Sequence, residues 1–266
     1  MNRFNTTWRK IASTIYRKPV DSKIFGSVEL DITDLEQYIK QKRKSGLKLT
    51  LTHFFLLATA RAIKEVVPEF NTYVKRGNIY AYEQIDATVS ILLPSGEMGS
   101  VKMQNIAAMT LREVVEKMQT AIMATRKGND KHTQQIKDRL ASVPWLLRGF
   151  VYRAIRFITV DWGLSIPFLG LTANSFGAFV LSNIGSIGLD MGYPALFPSA
   201  NVSFVLILGG VAQKPWVVDG HIVPRTIIAL GAALDHRVVD ASHGGKLFKY
   251  LKKAVNQPQI LELVTP

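Results

Sequence analysis

The stretch RTIIALGAALDHRVVDASHGG (residues 225–245) decides the fold of this 266-residue chain. Its first part, from Arg225 to Asp235, is mostly apolar or small, which predicts a buried β-strand. Polar residues follow at once, and we predict that the last helix begins near Asp240 and ends before Pro258. Because functional side chains gather at strand ends in α/β folds, the turn between this strand and helix is the first candidate site.

Strand and helix patterns alternate through the rest of the chain. Helices are predicted over 34–44, 49–67 and 110–125. Strands are predicted over 24–32, twice within 85–103 around a Pro-Ser-Gly turn, over 176–186 and over 202–212. Together with the strand at 225–235 this gives about six or seven strands. The pattern predicts an α/β sandwich, in which one sheet carries helices on one face.

Composition narrows the classes of function. With 47% hydrophobic residues the chain can build a sizeable core. The absence of cysteine excludes disulfides, thiolate metal sites and a cysteine nucleophile. No linker or repeat divides the sequence, so we expect one domain over residues 1–266. The amino terminus lacks a secretory apolar region, and no apolar run reaches about 20 residues, so a cytoplasmic location is expected.

The formal net charge of +13 favours anionic partners or simply gives solubility. The candidate partners are a phosphate-rich cofactor, nucleic acid, an acidic carrier protein and an anionic membrane. Basic residues are not interleaved with aromatic ones, as binding of single-stranded nucleic acid would require. Nucleic acid is therefore the least favoured of these partners.

The segment at about 131–175 is unusually basic and apolar. The chain has eight basic residues and two acidic ones from Arg126 to Arg156. A helix is predicted over 142–158, with Arg148, Arg153 and Arg156 on an arc of about 140°. Two interpretations stay open. The helix makes peripheral contact with a membrane, or it is buried against the body or a neighbouring subunit.

His236 is the candidate for proton transfer, because histidine is the side chain best suited to that task near neutral pH. Asp240, four residues later, is placed to hold the turn rigid, although this spacing alone is weak evidence. His53 lies in an apolar helix and is predicted to be a core residue. No pair of histidines has zinc-like spacing with a carboxylate, so no metal site is predicted.

The residues DHRVVDA (235–241) resemble a family signature. They are similar to the D-H-R-x-x-D/N-G motif of the dihydrolipoyl acyltransferase catalytic domain, the core component of 2-oxoacid dehydrogenase complexes. They also resemble the H-x-x-x-D-G motif of its relative chloramphenicol acetyltransferase. Further likenesses occur in the same order along the chain, in WRKIAS (8–13), LTHFFLLATARAIKEVVPEFN (51–71), FVLSNIGSIG (179–188) and KKAVNQPQILEL (252–263). Together they cover most of residues 8–130 and 176–264.

The resemblance implies a chloramphenicol acetyltransferase-like two-layer α/β sandwich with a mixed sheet, assembled as a trimer. It implies coenzyme A-dependent transfer of an acyl group between a thioester and a thiol or hydroxyl, without a metal. His236 would be the general base and Ser182 the donor to the tetrahedral oxyanion, each from a different subunit. Asp240 and Arg9 would form a buried ion pair that holds the active-site loop. The positive charge of the chain would attract the phosphates of coenzyme A.

Some features depart from the family pattern. No lipoyl domain, lipoyl attachment site or Ala/Pro linker is found, Ala241 replaces a glycine, and residues 131–175 stand where the family has a short loop. The leading hypothesis is therefore a stand-alone acyltransferase whose partners are acyl-CoA, an acyl carrier or lipoyl protein, and further trimers in a larger shell. The alternatives are a non-catalytic assembly protein on the same fold and a xenobiotic O-acetyltransferase.

Overall fold

The computed structural model describes residues 22–94, 96, 98–126, 142–167 and 171–262. Arg9, the predicted partner of Asp240, lies outside this part of the chain. Within it, six strands form one mixed sheet and two more form a small hairpin. The strands are β1 (Lys23–Asp31), β2 (Thr72–Lys75), β3 (Asn78–Ala81), β4 (Ala87–Leu92), β5 (Met98–Met103), β6 (Phe179–Asn183), β7 (Phe204–Val218) and β8 (His221–Asp235).

The main sheet has the strand order β1-β8-β7-β6-β4-β5. The β4–β6 and β6–β7 pairs are parallel, whereas the β1–β8, β7–β8 and β4–β5 pairs are antiparallel. The predicted α/β fold with a mixed sheet is confirmed. The trimer stays a prediction, because the structure describes one chain.

Five α-helices occur in the described residues. They are α1 (Thr33–Lys44), α2 (Leu51–Glu65), α3 (Leu111–Ala124), α4 (Trp145–Arg156) and α5 (Ala241–Asn256). Two threonines explain where helices begin: the hydroxyls of Thr50 and Thr110 accept hydrogen bonds from the backbone N–H of His53 and Glu113. Such caps satisfy N–H groups that a helix leaves without partners in its first turn.

The two faces of the sheet are covered differently. Along β6, Phe179 and Leu181 belong to the large core that the sheet shares with α1, α2, α3 and α5. Val180 alternates to the other face and packs against a smaller apolar cluster built around Leu196 and Val202. The even-numbered position Ser182 lies on this second face, because side chains alternate along a strand. The helices therefore cover one face, as predicted, and an irregular segment covers part of the other.

That segment approaches the sheet at backbone distance. A Cβ atom on Gly209 would lie 2.0 Å from the carbonyl oxygen of Asp190, and one on Gly231 would lie 2.2 Å from that of Gly192. Only glycine allows such contact between a strand and a crossing chain. These glycines fix the segment on β7 and β8, next to the position of Ser182.

Two differences from the sequence predictions concern strands. The hairpin of β2 and β3 was not predicted, because its strands have only four residues each and carry little periodicity. Strands β7 and β8 extend well beyond the predicted apolar runs into a long two-stranded projection. Gln213 and Lys214 interrupt the apolar run of β7, and Pro224 and Arg225 interrupt that of β8, so the apolar pattern does not continue over the projection.

Helix α4 was predicted as part of a helix over 142–158, and the structure forms it. It continues into a π-helical turn at Phe157–Asp161. No residue of α4 is fully buried, and its second half is half-buried, so the described part of the chain covers this helix only in part. None of the described helices is long and apolar enough to cross a membrane.

Candidate active site

The turn after β8 is held to the sheet by backbone hydrogen bonds at its start. The N–H of Asp235 donates to the carbonyl oxygen of Ser203 at 2.8 Å, and the N–H of His236 donates to that of Ser22 at 2.7 Å. The N–H groups of Val238 and Val239 both donate back to the Asp235 carbonyl, at 3.0 and 3.1 Å. The backbone on both sides of the His236 side chain is therefore fixed.

The two residues that flank His236 in the sequence form a buried ion pair. The Nε of Arg237 donates to both carboxylate oxygens of Asp235, at 2.9 and 3.0 Å, and the Arg237 backbone N–H donates to Oδ1 at 3.0 Å. Both side chains are almost completely buried. Sequence reasoning assigned no role to these two residues, although charged residues on both sides of a histidine after an apolar strand were a usable signal.

The His236 ring is oriented by two acceptors on the same nitrogen. Its Nδ1 lies 2.9 Å from the carbonyl oxygen of Val239 and 3.2 Å from Oδ1 of Asp240. A carbonyl oxygen only accepts, so Nδ1 of the neutral ring carries the proton. Nε2 is then unprotonated and able to accept a proton. The His236 side chain is 27% exposed, so part of it is open to solvent.

Asp240 stands at the junction of the turn and the last helix. It is the N-cap residue of α5, and its backbone N–H donates to Nδ1 of His243 at 3.0 Å. A carboxylate at a helix N-terminus is stabilised by the exposed N–H groups there. Asp240 and His236 are in contact, whereas the role of Asp240 in holding the turn and its ion pair with Arg9 stay predictions.

Ser182 lines a cavity on the second face of the sheet. The cavity has a volume of about 280 Å³ and a mostly apolar lining. Its walls include Ser90, Phe176, Val180, Phe197 and Ile207. The serine hydroxyl is thus a polar group placed at the edge of an apolar space.

His236 and Ser182 do not meet within one chain. Ser182 pairs with Ile207, and Ile207 pairs with Gly231, so these residues share one level of the sheet. His236 lies five residues beyond Gly231, about 17 Å along the strand direction, and two strand spacings add about 10 Å. Their Cα atoms are therefore about 20 Å apart, too far for both side chains to act on one reacting group.

His53, which is buried, has a structural role. His53 Nδ1 lies 2.7 Å from the Thr50 hydroxyl and accepts the Thr50 backbone N–H at 3.2 Å. Burial, with a smaller contribution from the charge of Arg43, lowers the pKa of His53 to about 4. The core position was predicted correctly, although Nε2 is buried without a hydrogen-bond partner in the described structure. Within the described residues, no three histidine or acidic side chains group as metal ligands would.

Most of the chain matches one protein family. The family model of the 2-oxoacid dehydrogenases acyltransferase (catalytic domain) matches residues 5–140 and 172–263. The chain belongs to this family, and the resemblance inferred from the sequence motifs is confirmed. The match leaves out residues 141–171, which include α4.

Curated relatives match over part of their lengths. The dihydrolipoyllysine-residue acetyltransferase component of the pyruvate dehydrogenase complex from Acholeplasma laidlawii is 33% identical over 88 residues, which is 33% of this chain and 16% of that protein. The corresponding Staphylococcus aureus protein is 37% identical over 82 residues, covering 30% of this chain and 18% of its own. The matched segments thus span less than a fifth of each relative.

Solved structures share the fold. A probable dihydrolipoamide acetyltransferase from Listeria monocytogenes superposes with a TM-score of 0.66 at 18% identity, covering 94% of this chain and 88% of that one. Dihydrolipoamide acetyltransferase from Azotobacter vinelandii gives 0.64 at 20% identity, covering 91% and 84%. A chloramphenicol acetyltransferase gives 0.54 at 15% identity, covering 94% and 96%.

Proposed function

We propose that this protein is a coenzyme A-dependent acyltransferase with His236 as its general base. The observation that carries the proposal is the contact of Nδ1 with the Val239 carbonyl, which leaves Nε2 unprotonated. A base needs a fixed ring and a fixed tautomer, and this turn supplies both. The acyl group moves between a thioester and a thiol or hydroxyl acceptor.

The steps follow from this geometry. Nε2 of His236 takes the proton from the acceptor thiol or hydroxyl as its sulfur or oxygen bonds to the thioester carbonyl carbon. The carbonyl oxygen becomes an oxyanion, which accepts a hydrogen bond from the hydroxyl of Ser182. Collapse of this intermediate breaks the carbon–sulfur bond, and the leaving thiolate takes the proton back from the imidazolium. One such oxyanion donor lowers the barrier by about 3–4 kcal/mol.

Asp240 supports the charged form of the base. Its Oδ1 is 3.2 Å from Nδ1, so the carboxylate stabilises the imidazolium that forms during transfer. The solved Azotobacter vinelandii structure concerns the roles of a serine, a histidine and an asparagine four residues after it in that enzyme's mechanism. The same spacing of His236 and Asp240 supports equivalent roles here, with Arg9 as the further partner of Asp240.

The working site is proposed to lie between subunits of a homotrimer. The separation of about 20 Å within the chain supports a site in which the serine comes from a neighbouring copy. Larger assemblies of trimers, and an acyl carrier or lipoyl protein as a partner, belong to the same proposal. The apolar cavity beside Ser182 is the proposed place of the acyl group. A single domain carrying an insertion at about 131–175 also remains part of this proposal.

Turnover of an acyl-CoA panel tests the chemistry. Released coenzyme A thiol is measured with a chromogenic disulfide in the presence of a dithiol acceptor. We expect His236→Ala to lower kcat by about 10²–10⁴-fold and Ser182→Ala by about 10²–10³-fold. The control His221→Ala, in an exposed residue at the far end of β8, leaves kcat unchanged. Unchanged turnover of the His236→Ala protein would exclude the proposed base.

A further inference from the structure

Helix α4 exposes large apolar side chains at its start. Trp145, Leu146 and Phe150 keep 77%, 72% and 66% of their surfaces in solvent. Leu147 is also more than half exposed. Four such residues lie within six positions, and exposed apolar surface concentrated in this way marks an interaction site.

The apolar side of α4 faces away from the body. On a helical wheel, Leu146, Phe150 and Leu147 lie within an arc of about 100°. Tyr152 lies on the opposite side, and its hydroxyl is 2.6 Å from that of Ser199 in the body. Tyr152 belongs to the half-buried second half of the helix, together with Val151 and Ile155, whereas the large apolar side chains of the first half remain in solvent.

The helix is held in this orientation by the segment that follows it. Arg156 pairs with Asp161 at 3.4 Å, and the carbonyl of Asp161 accepts the backbone N–H of Arg76 in the β2–β3 turn at 2.9 Å. The guanidinium of Arg76 lies 4.8 Å from the ring centre of Trp162. Phe157 and Trp162 are themselves about half exposed on the same segment. These contacts connect the segment after α4 to the β2–β3 turn and so hold the helix in place.

The charges of residues 142–160 indicate which partner binds the exposed surface of α4. No acidic residue occurs from position 142 to 160, whereas Arg148, Arg153 and Arg156 lie in the helix. Two copies of this surface packed against each other would bring their arginines together without a local acidic residue to pair with them, so a second copy is not a suitable occupant. A surface that joins exposed Trp and Phe with arginine matches the interface of a membrane with anionic headgroups.

We propose that α4 docks this protein on an anionic lipid bilayer. Its twelve residues span about 18 Å, which suits a helix lying in the interface. Leu146, Leu147 and Phe150 enter the boundary between headgroups and acyl chains, and Arg153 lies at the edge of the buried face, where it reaches the phosphates. The docking is independent of the acyltransferase chemistry, so either can fail without the other.

Vesicle flotation of the full chain tests this docking. Wild-type protein is expected to float with phosphatidylglycerol-containing vesicles and to stay in the bulk with pure phosphatidylcholine. The double variant Leu146→Ser/Phe150→Ser is expected to bind at least about tenfold more weakly, because two buried apolar side chains are lost. The matched control Val217→Ser/Ile222→Ser removes two exposed apolar residues at the tip of the β7–β8 hairpin and is expected to bind like wild type.

Light scattering and thermal unfolding of the same proteins complete the test. The proposal requires that Leu146→Ser/Phe150→Ser keep the wild-type mass and melting temperature while losing vesicle binding. Wild-type protein that stays in the bulk with anionic vesicles overturns it. So does equal binding of the double variant and wild type. A change of mass in the double variant without any vesicle binding would assign the face to contact between copies and also overturn the proposal.

Discussion

The body of the protein and helix α4 distribute their side chains in opposite ways. The body buries charge: Asp235 and Arg237 lie in its interior, each satisfied mainly by the other. Helix α4 exposes apolar surface, with Leu146 and Phe150 largely in solvent. A buried charge is tolerated only with its partner inside the chain, whereas an exposed apolar face implies a partner outside it.

The family comparison divides the chain along the same line. The matched residues, 5–140 and 172–263, include the whole β8 turn, and the unmatched 141–171 include α4. The body therefore contains the residues that the family model matches. Helix α4, with its exposed apolar side chains, lies outside the residues that the family model matches.

The largest expected effect is on the stability of the body. Arg237→Ala leaves the Asp235 carboxylate buried without its partner, so the free energy of unfolding should fall by about 3–5 kcal/mol. Urea unfolding followed by circular dichroism measures the change. As the matched control, Lys214→Ala breaks an exposed pair with Glu29 and should cost less than about 1 kcal/mol. Equal losses in the two variants would contradict the distinction between buried and exposed charge.

An intermediate effect is expected from His53 as pH falls. The pKa of His53 is about 4 in the folded protein and 6.5 ordinarily, so the unfolded chain binds the extra proton between these values. The stabilisation is complete above pH 6.5 and is lost as pH falls towards 4. It amounts to about 2–3 kcal/mol between pH 7.5 and 4.5.

The variant His53→Gln isolates this contribution. Glutamine at the third helical position still accepts the N-cap N–H, so the helix start is kept. Urea unfolding is measured at pH 7.5 and pH 4.5. The free energy of unfolding should fall less between these pH values in His53→Gln than in wild type, by about 2–3 kcal/mol. An identical loss in the two proteins would place the acid sensitivity elsewhere.

The smallest effect is expected in α4. Phe150→Ser should change the free energy of unfolding by less than about 0.5 kcal/mol, because the side chain buries little surface. The reference Leu247→Ala, at a fully buried position of α5, should cost about 2–5 kcal/mol. A comparable loss in Phe150→Ser would mean that α4 is part of the core, and the contrast between the two regions would disappear.

Much of the fold could be predicted from the sequence where periodicity and apolar runs are strong. Helix α2 lies within the predicted range 49–67, and the buried part of β8 lies where the apolar run places it. The β2–β3 hairpin was missed because strands of four residues have little pattern. The direction of the apolar face of α4 stayed open between two interpretations, since a helical wheel shows an amphipathic face without showing which side meets the body.

The candidate site was predictable in its residue types but only partly in its contacts. The motif identified His236 and Asp240, whereas the Val239 carbonyl that sets the tautomer is a backbone group and leaves no trace in the sequence. The roles of Asp235 and Arg237 depend on burial, which a charged pair next to a histidine does not reveal by itself. The separation of Ser182 from His236 required the strand register.

Mixing two inactive variants tests the central claim, that His236 of one subunit works with Ser182 of another. His236→Ala and Ser182→Ala chains are co-expressed in equal amounts with different tags, and acyl-CoA turnover of the purified mixture is measured. In randomly mixed cyclic trimers about one quarter of the sites combine an intact histidine with an intact serine, so about a quarter of wild-type activity should return. Activity no higher than that of either variant alone, in a mixture shown by its tags to contain mixed trimers, would contradict a site shared between subunits.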